Sequence, residues 1–204
     1  MPLVYQQNIN ALTKIGVWHI AETEDFFAAV PLQKEITHWH KRLQHLAGRF
    51  LLKELYPDFP LNLVKIATTR KPFLEDEAYH FSISHCKDYA AVLISKNQRA
   101  GVDIELVNAK IGTIIPKFLT DEECSLMPHS AIEKTATLFW SVKESVYKWQ
   151  GAGGTDFKKH IRIQKFTGNG DEGVVHCLFK DDIPLLVHYL FFNGNFLTWV
   201  LSHH

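Results

Sequence analysis

The feature that most limits the fold is a plan that occurs twice along the chain. A strand-like run, GVWHI at 16–20, precedes a helical pattern at 34–56 in which Trp39, Leu43, Leu46, Phe50 and Leu51 recur at helical spacing. Pro57 and Pro60 close that helix, and strand-like runs follow at 63–69, 80–86 and 89–95. After the polar turn KNQRA the pattern restarts with the strand GVDIELV at 101–107. A short helix then opens at Thr120 and a longer one at Ser130, because TDEE and SAIE both fit the Ser/Thr-x-x-Glu capping box; the longer helix runs to about Gln150. Strand-like runs at 160–166, 174–179, 186–192 and 196–202 complete the chain, with TGNGDEG and NGN as turns. The expectation is an α+β fold of two similar halves, residues 1–99 and 100–204, each an antiparallel sheet packed on a long helix. The likeness is one of pattern only, since no residue-level repeat accompanies it.

Composition removes several function classes. With 204 residues, 46% of them hydrophobic, the chain can bury a core in one large domain or two small ones. Its 22 basic and 22 acidic residues cancel, so no overall field would hold a nucleic acid or an anionic membrane, and neither partner is expected. Cys86, Cys124 and Cys177 are odd in number and lack CxxC spacing, which argues against a disulfide framework. No run approaches the length of a membrane span, and MPLVYQQNINALTK lacks the form of a signal peptide. A cytoplasmic protein is expected. The 12 histidines do not form a zinc pattern: His38 and His40, two apart on a helix, diverge.

Chemistry concentrates in two stretches. In GVDIE, residues 101–105, strand alternation puts Asp103 and Glu105 on one face, about 7 Å apart. Their repulsion is relieved by solvent, by a neighbouring Arg or Lys, or by a bound cation. In FWSVKESVYKWQGAGG, 139–154, Leu138, Phe139, Val142, Val146 and Trp149 make an apolar stripe, with Glu144 and Lys148 paired at i,i+4 near the opposite face. Trp140 and Tyr147 flank that polar side, so a second contact surface is implied. The glycines follow the helix rather than precede it, which suits a C-cap at Gly151 and a flexible exit, not a phosphate loop. Along the first helix His38, Arg42, His45 and Arg49 line up as a solvated basic face or a phosphate clamp. Ser82, Ser84 and His85 lack the spacing logic of a nucleophilic triad. Three carboxylates among lysines suggest Mg²⁺ shared with a polyphosphate, the ion completing its shell with phosphate oxygens and water.

GVDIE and WSVKESVYK (140–148), 34 residues beyond the end of the first, resemble the paired signature of 4'-phosphopantetheinyl transferases. KPFL (71–74), FSISHC (81–86) and FLTDEE (118–123) match the same family in order. Length and two-part plan are similar to the pseudo-dimeric, surfactin-synthetase-activating type, which implies a monomer whose halves are related by a pseudo-two-fold. The resemblance implies Mg²⁺-dependent transfer of the phosphopantetheine arm of coenzyme A to a serine of an apo acyl or peptidyl carrier protein, releasing adenosine 3',5'-bisphosphate. It implies nucleotide binding by the N-terminal half and metal binding and catalysis by the C-terminal half.

Residue by residue, it implies that Asp103, Glu105 and Glu144 hold the metal, Glu105 directly or through water, and that Glu144 is also the general base. Lys143 and Lys148 would bind phosphate, with Lys148 stabilising charge at the reacting pyrophosphate. Ser84 and His85 would contact coenzyme A phosphates, Lys71 and Pro72 would border the adenine, and Arg42 and Arg49 would meet the 3'-phosphate. Glu123, which is also the third helical residue of the Thr120 capping box, is a further metal candidate. Cys86 stands where many relatives carry Ser or Thr, and Ser145 where Ala is commoner. On the residues alone, a Mg²⁺-dependent hydrolase of coenzyme A or a nucleotide and a non-catalytic binding module stay open.

Overall fold

The structure, a computed structural model, describes residues 2–32 and 35–202. The described residues divide into two compact units, 2–100 and 101–202.

In the first unit, β1 (Leu3–Asn10), β2 (Thr13–His19), β5 (His80–Cys86) and β6 (Tyr89–Ser95) form an antiparallel sheet in the order β1-β2-β6-β5. The helix α1 (Trp39–Leu55) packs on it through Leu43, Leu46, Ala47, Leu51, Leu52 and Leu55, all buried. Gly48 lets α1 approach, since a Cβ there would stand 2.6 Å from the Ile83 side chain. A two-stranded hairpin, β3 (Lys65–Ile66) with β4 (Pro72–Phe73), lies apart from the main sheet.

Three expectations for this unit need correction. The helix begins at Trp39, five residues later than the sequence pattern suggests, and the first of those, Lys34, lies outside the described residues. Trp39 is not in the core stripe: it is 64% exposed, and buried positions start only at Leu43, so nothing rewards helix formation upstream. The run at 63–69 is mostly not strand. Leu63 and Ile66 are exposed, two residues pair, and a turn at Ala67–Arg70 reverses the chain with Arg70 at φ 67°. The strand β1 was not anticipated; it is a sheet edge whose Gln6, Gln7 and Asn8 are exposed, so backbone pairing rather than burial defines it.

In the second unit, β7 (Arg99–Leu106) leads through α2 (Ile115–Phe118) and α3 (Asp121–Ser125) to the long helix α4 (Ile132–Gln150), then α5 (Phe157–His160) and β8 (Ile161–Gly168), β9 (Glu172–Phe179), β10 (Ile183–Phe192) and β11 (Asn195–Ser202). The sheet order is β7-β11-β10-β9-β8, with β8 to β11 an antiparallel meander. Leu138, Phe139, Val142, Val146 and Trp149 of α4 are buried as the apolar stripe predicts. Gly151 caps the helix in the left-handed conformation at φ 73°. Thr120 and Glu123 form the expected capping box at α3, but Ser130 does not cap α4, which instead grows out of a 3-10 turn at His129–Ala131. Among the described residues no helix is long and apolar enough to cross a membrane.

Candidate active site

The first of the two motifs is built around a missing side chain. At Gly101 a Cβ would collide with the Ser145 carbonyl oxygen and stand 2.7 Å from Cβ of Trp149, so glycine is what lets α4 lie directly on β7. Two residues on, Asp103 faces the same helix and is 2% exposed. Its Oδ1 accepts a 2.6 Å hydrogen bond from the Lys148 ammonium, and its Oδ2 a 2.9 Å bond from the Ser141 hydroxyl. Ser141, Glu144 and Lys148 share one helical face at i, i+3 and i+7. Thr198 of β11 donates to the Ser141 carbonyl, fixing that turn from the sheet side. Neither Ser141 nor Thr198 was singled out from the sequence; Ser141 was reachable by helical spacing from Lys148, whereas Thr198 has no local signal. Gly101→Ala should therefore separate β7 from α4, costing roughly 1–3 kcal/mol by overpacking, measurable as a fall in denaturation midpoint.

Around this pair the other acids are pushed toward their neutral forms. Burial, then the Asp103 charge, raises Glu105 to about 7, while the Trp140 indole N–H, 3.3 Å from its Oε1, and Lys148 pull the other way. Glu144 rises to about 6 for the same first two reasons, with Lys148 again opposing. A carboxyl whose folded value lies above its unfolded 4.5 binds protons more tightly when folded, so stability should fall as pH rises from about 4.5 to about 7. Urea midpoints across that window would show the decline, and a bound cation should flatten it.

The donor set suits Mg²⁺, a hard cation that takes oxygen ligands. Three carboxylates gather around one ammonium, and burial with the Asp103 charge raises both Glu105 and Glu144, an imbalance that a divalent cation would relieve. Among the described residues no three acids, histidines or cysteines already form a closed cage. Mg²⁺ does not require one, because it is usually held by one or two carboxylates plus substrate phosphates.

Glu123 and Lys143 do not join this group. Lys143 is 0% exposed, and its ammonium has its three donors directed at Glu123 Oε1 and Oε2, both at 2.8 Å, and the Phe157 carbonyl at 3.0 Å. Glu123, 2% exposed, also accepts from the backbone N–H of Thr120 at 2.9 Å and of Ile163 at 2.8 Å. Burial pulls the Lys143 ammonium down, and the Glu123 charge offsets part of that. The lysine expected on phosphate and the acid considered for metal are thus spent on each other.

Beside Glu105, a cavity of about 420 Å³ is lined by Ile114, Lys117, Phe118, Trp140, Asp156 and Phe157. The Trp140 ring sits between Phe118 at 5.1 Å and Phe157 at 5.4 Å, which is the second contact surface implied by Trp140 and Tyr147. Phe157 and Phe118 carried no signal in the sequence beyond their apolarity.

The remaining candidates lie in the first unit. Arg49 is 5% exposed, not solvated: it contacts His45 Nδ1 at 3.1 Å, its Nε is buried without a partner, and among the described residues no carboxylate reaches it. Desolvation lowers it to about 10, so it stays charged at neutral pH. Arg42 instead forks onto Glu24 at 2.6 and 2.8 Å. Lys71, half-buried, is pushed down to about 8 by burial and by Arg99; Pro72 follows it in β4. Ser84 is buried and His85 exposed near the end of β5.

Residues 99–190 match the family model of the 4'-phosphopantetheinyl transferase superfamily. Two curated proteins, both named enterobactin synthase component D, are similar over 113 residues: that of Salmonella typhi at 33% identity and that of Salmonella typhimurium at 31%. Each match covers 53% of this chain and 47% of the relative, so the chain matches about half the length of those proteins. The matched residues include Asp103, Glu105, Glu144 and Lys148 on β7 and α4, so the stretch that carries the candidate site is similar to the 4'-phosphopantetheinyl transferase superfamily.

Proposed function

We propose that this protein transfers the 4'-phosphopantetheine arm of coenzyme A to a serine of an apo acyl or peptidyl carrier protein. The observation that carries the reading is the buried Asp103 holding Lys148 at 2.6 Å, with Glu105 and Glu144 beside it, both raised by burial and by the Asp103 charge. Asp103 and Glu144, with Glu105 directly or through water, would hold Mg²⁺. When bound, the ion neutralises charge on the pyrophosphate oxygens.

Glu144 takes the proton of the carrier serine as its oxygen attacks the phosphorus next to the arm. The bond from that phosphorus to the bridging oxygen breaks, and adenosine 3',5'-bisphosphate leaves with the electron pair. Lys148 stabilises the charge developing there, as reactions at phosphorus demand positioning and neutralisation above all. A base near pH 6 is well matched to this task. The cavity walled by Trp140, Phe157 and Phe118, with Lys117 and Asp156 also in its lining, would take the arm's carbon segments against its rings and its amides at its polar side. In the first unit, the buried Arg49 with its unpartnered Nε suits the 3'-phosphate, Arg42 would have to leave Glu24 to assist, Lys71 and Pro72 would border the adenine, and Ser84 and His85 the phosphates.

That each unit is a sheet carrying one long helix supports the finer reading of two like halves related by a pseudo-two-fold; a monomeric state and a cytoplasmic location are proposed with it. The test is intact-mass analysis of apo carriers after incubation with the protein, coenzyme A and Mg²⁺, beginning with a carrier from an enterobactin synthase. Phosphopantetheine addition to one serine is expected; no adduct on fatty-acid, polyketide or peptide carriers, or release of adenosine bisphosphate without a carrier, would refute it.

A further inference from the structure

We propose that Glu123 and Lys143 act as a positioning pair that seats Phe157 against Trp140 and so shapes the cavity beside Glu105; naming the cavity's occupant as the pantetheine arm rests on the proposed function. The argument starts with chain flexibility. Between the end of α4 and Phe157 the chain reads GAGGTD, with Gly151, Gly153 and Gly154 all at positive φ. Glycines in that region restrain the backbone little, so the exit alone cannot dictate where Phe157 sits.

The tie comes from the helix behind it. Lys143 donates to the Phe157 carbonyl at 3.0 Å, and Lys143 is itself aimed by Glu123, whose oxygens are anchored to Thr120 N on the α3 side and Ile163 N on β8. One buried pair therefore joins α3, α4, β8 and the residue just past the glycines. What it holds is a wall: the Phe157 ring packs at 5.4 Å from Trp140 and 5.6 Å from Tyr147. Trp140 in turn donates to Glu105. The same geometry denies the pair a ligand role, because the ammonium's three donors and both carboxylate oxygens are already engaged.

The experiment uses the neutral double variant Lys143→Met/Glu123→Gln, which retains bulk without a buried lone charge, together with Phe157→Ala and the triple variant. Calorimetry in Mg²⁺ compares coenzyme A with adenosine 3'-phosphate 5'-diphosphate, which carries every phosphate of coenzyme A but no arm. The double variant and Phe157→Ala should each weaken coenzyme A roughly tenfold, the scale of a lost apolar pocket contact, and leave the nucleotide within about twofold. The triple variant should be no worse than either, since all remove one wall. Equal weakening of both ligands, or additive losses in the triple variant, would return Lys143 to the phosphates and overturn the proposal. Independently of any ligand, the Trp140 indole N–H resonance, assigned with Trp140→Phe, should move alike in the double variant and in Phe157→Ala; an unmoved resonance in the double variant also overturns it. Failure of the wild-type protein to bind either nucleotide counts against the transferase reading, and that resonance then decides the positioning role by itself.

Discussion

Glu123→Ala is expected to destabilise the protein by about 3–5 kcal/mol, the range for removing one partner of a buried pair and stranding the other. The loss is not of one contact. Without Glu123 the Lys143 ammonium keeps only the Phe157 carbonyl in a site with 0% exposure, and the N–H groups of Thr120 and Ile163 lose their acceptor. A mutation that abolished only the capping box would cost about 1 kcal/mol, so equilibrium denaturation separates the two accounts. The pH dependence separates them further. Lys143 is already pulled below its ordinary value by burial, and Glu123 is the group that resists this. With the acid removed, the folded state holds that proton still less tightly than the unfolded chain does. The unfolded chain then binds more protons over a wider range below 10.5, so the variant's stability should climb with rising pH more steeply than the wild type's. Adding Lys143→Met should restore most of the loss, because a pair replaced together leaves no buried charge alone. A single-variant loss under 1 kcal/mol would mean that water or a rearranged neighbour reaches Lys143.

What the sequence made legible, and what it hid, divides along the range of the interactions. The stripe on α4, the capping box at Thr120 and the Gly151 cap are set by residues within a few positions of each other, and all are present as the pattern predicts. That Asp103 and Lys148, 45 residues apart, share a site was legible only through the likeness of both motifs to a known signature, and the bond between them was not anticipated. The fate of Lys143 was not legible in that way. It sits beside Glu144 in the motif, yet one position round a helix is about 100°, enough to turn one side chain toward β7 and the next into the core. Arg49 shows the opposite error: its i+7 spacing from Arg42 suggested a shared basic face, but burial separates them, leaving one on Glu24 and the other with an unpartnered Nε. The short strand at 65–66 misled because an apolar run can be exposed, as Leu63 and Ile66 are, when a hairpin has no sheet to join.

Asp103→Asn should lower kcat/KM for carrier modification by about 10³-fold, at the upper end of what removing one electrostatic stabiliser costs. The side chain keeps its shape, so the expected loss is one of charge rather than of packing. Asp103 is the acid to which Lys148 is bonded, and the group whose charge raises both Glu105 and Glu144. Neutralising it weakens the hold on Mg²⁺ and releases Lys148 from its fixed position, two defects in one substitution. It also removes a repulsion, and that gives the prediction its signature. Glu144, no longer facing a neighbouring negative charge, should ionise at lower pH, as should Glu105. The acid limb of the pH–rate profile, expected near 6 if Glu144 is the base, should therefore move downward in the variant even as the plateau collapses. A purely structural Asp103 would lower the plateau without moving the limb. Near wild-type turnover, or an acid limb that stays in place, would remove Asp103 from the metal site and leave the transfer reading resting on Glu144 and Lys148 alone.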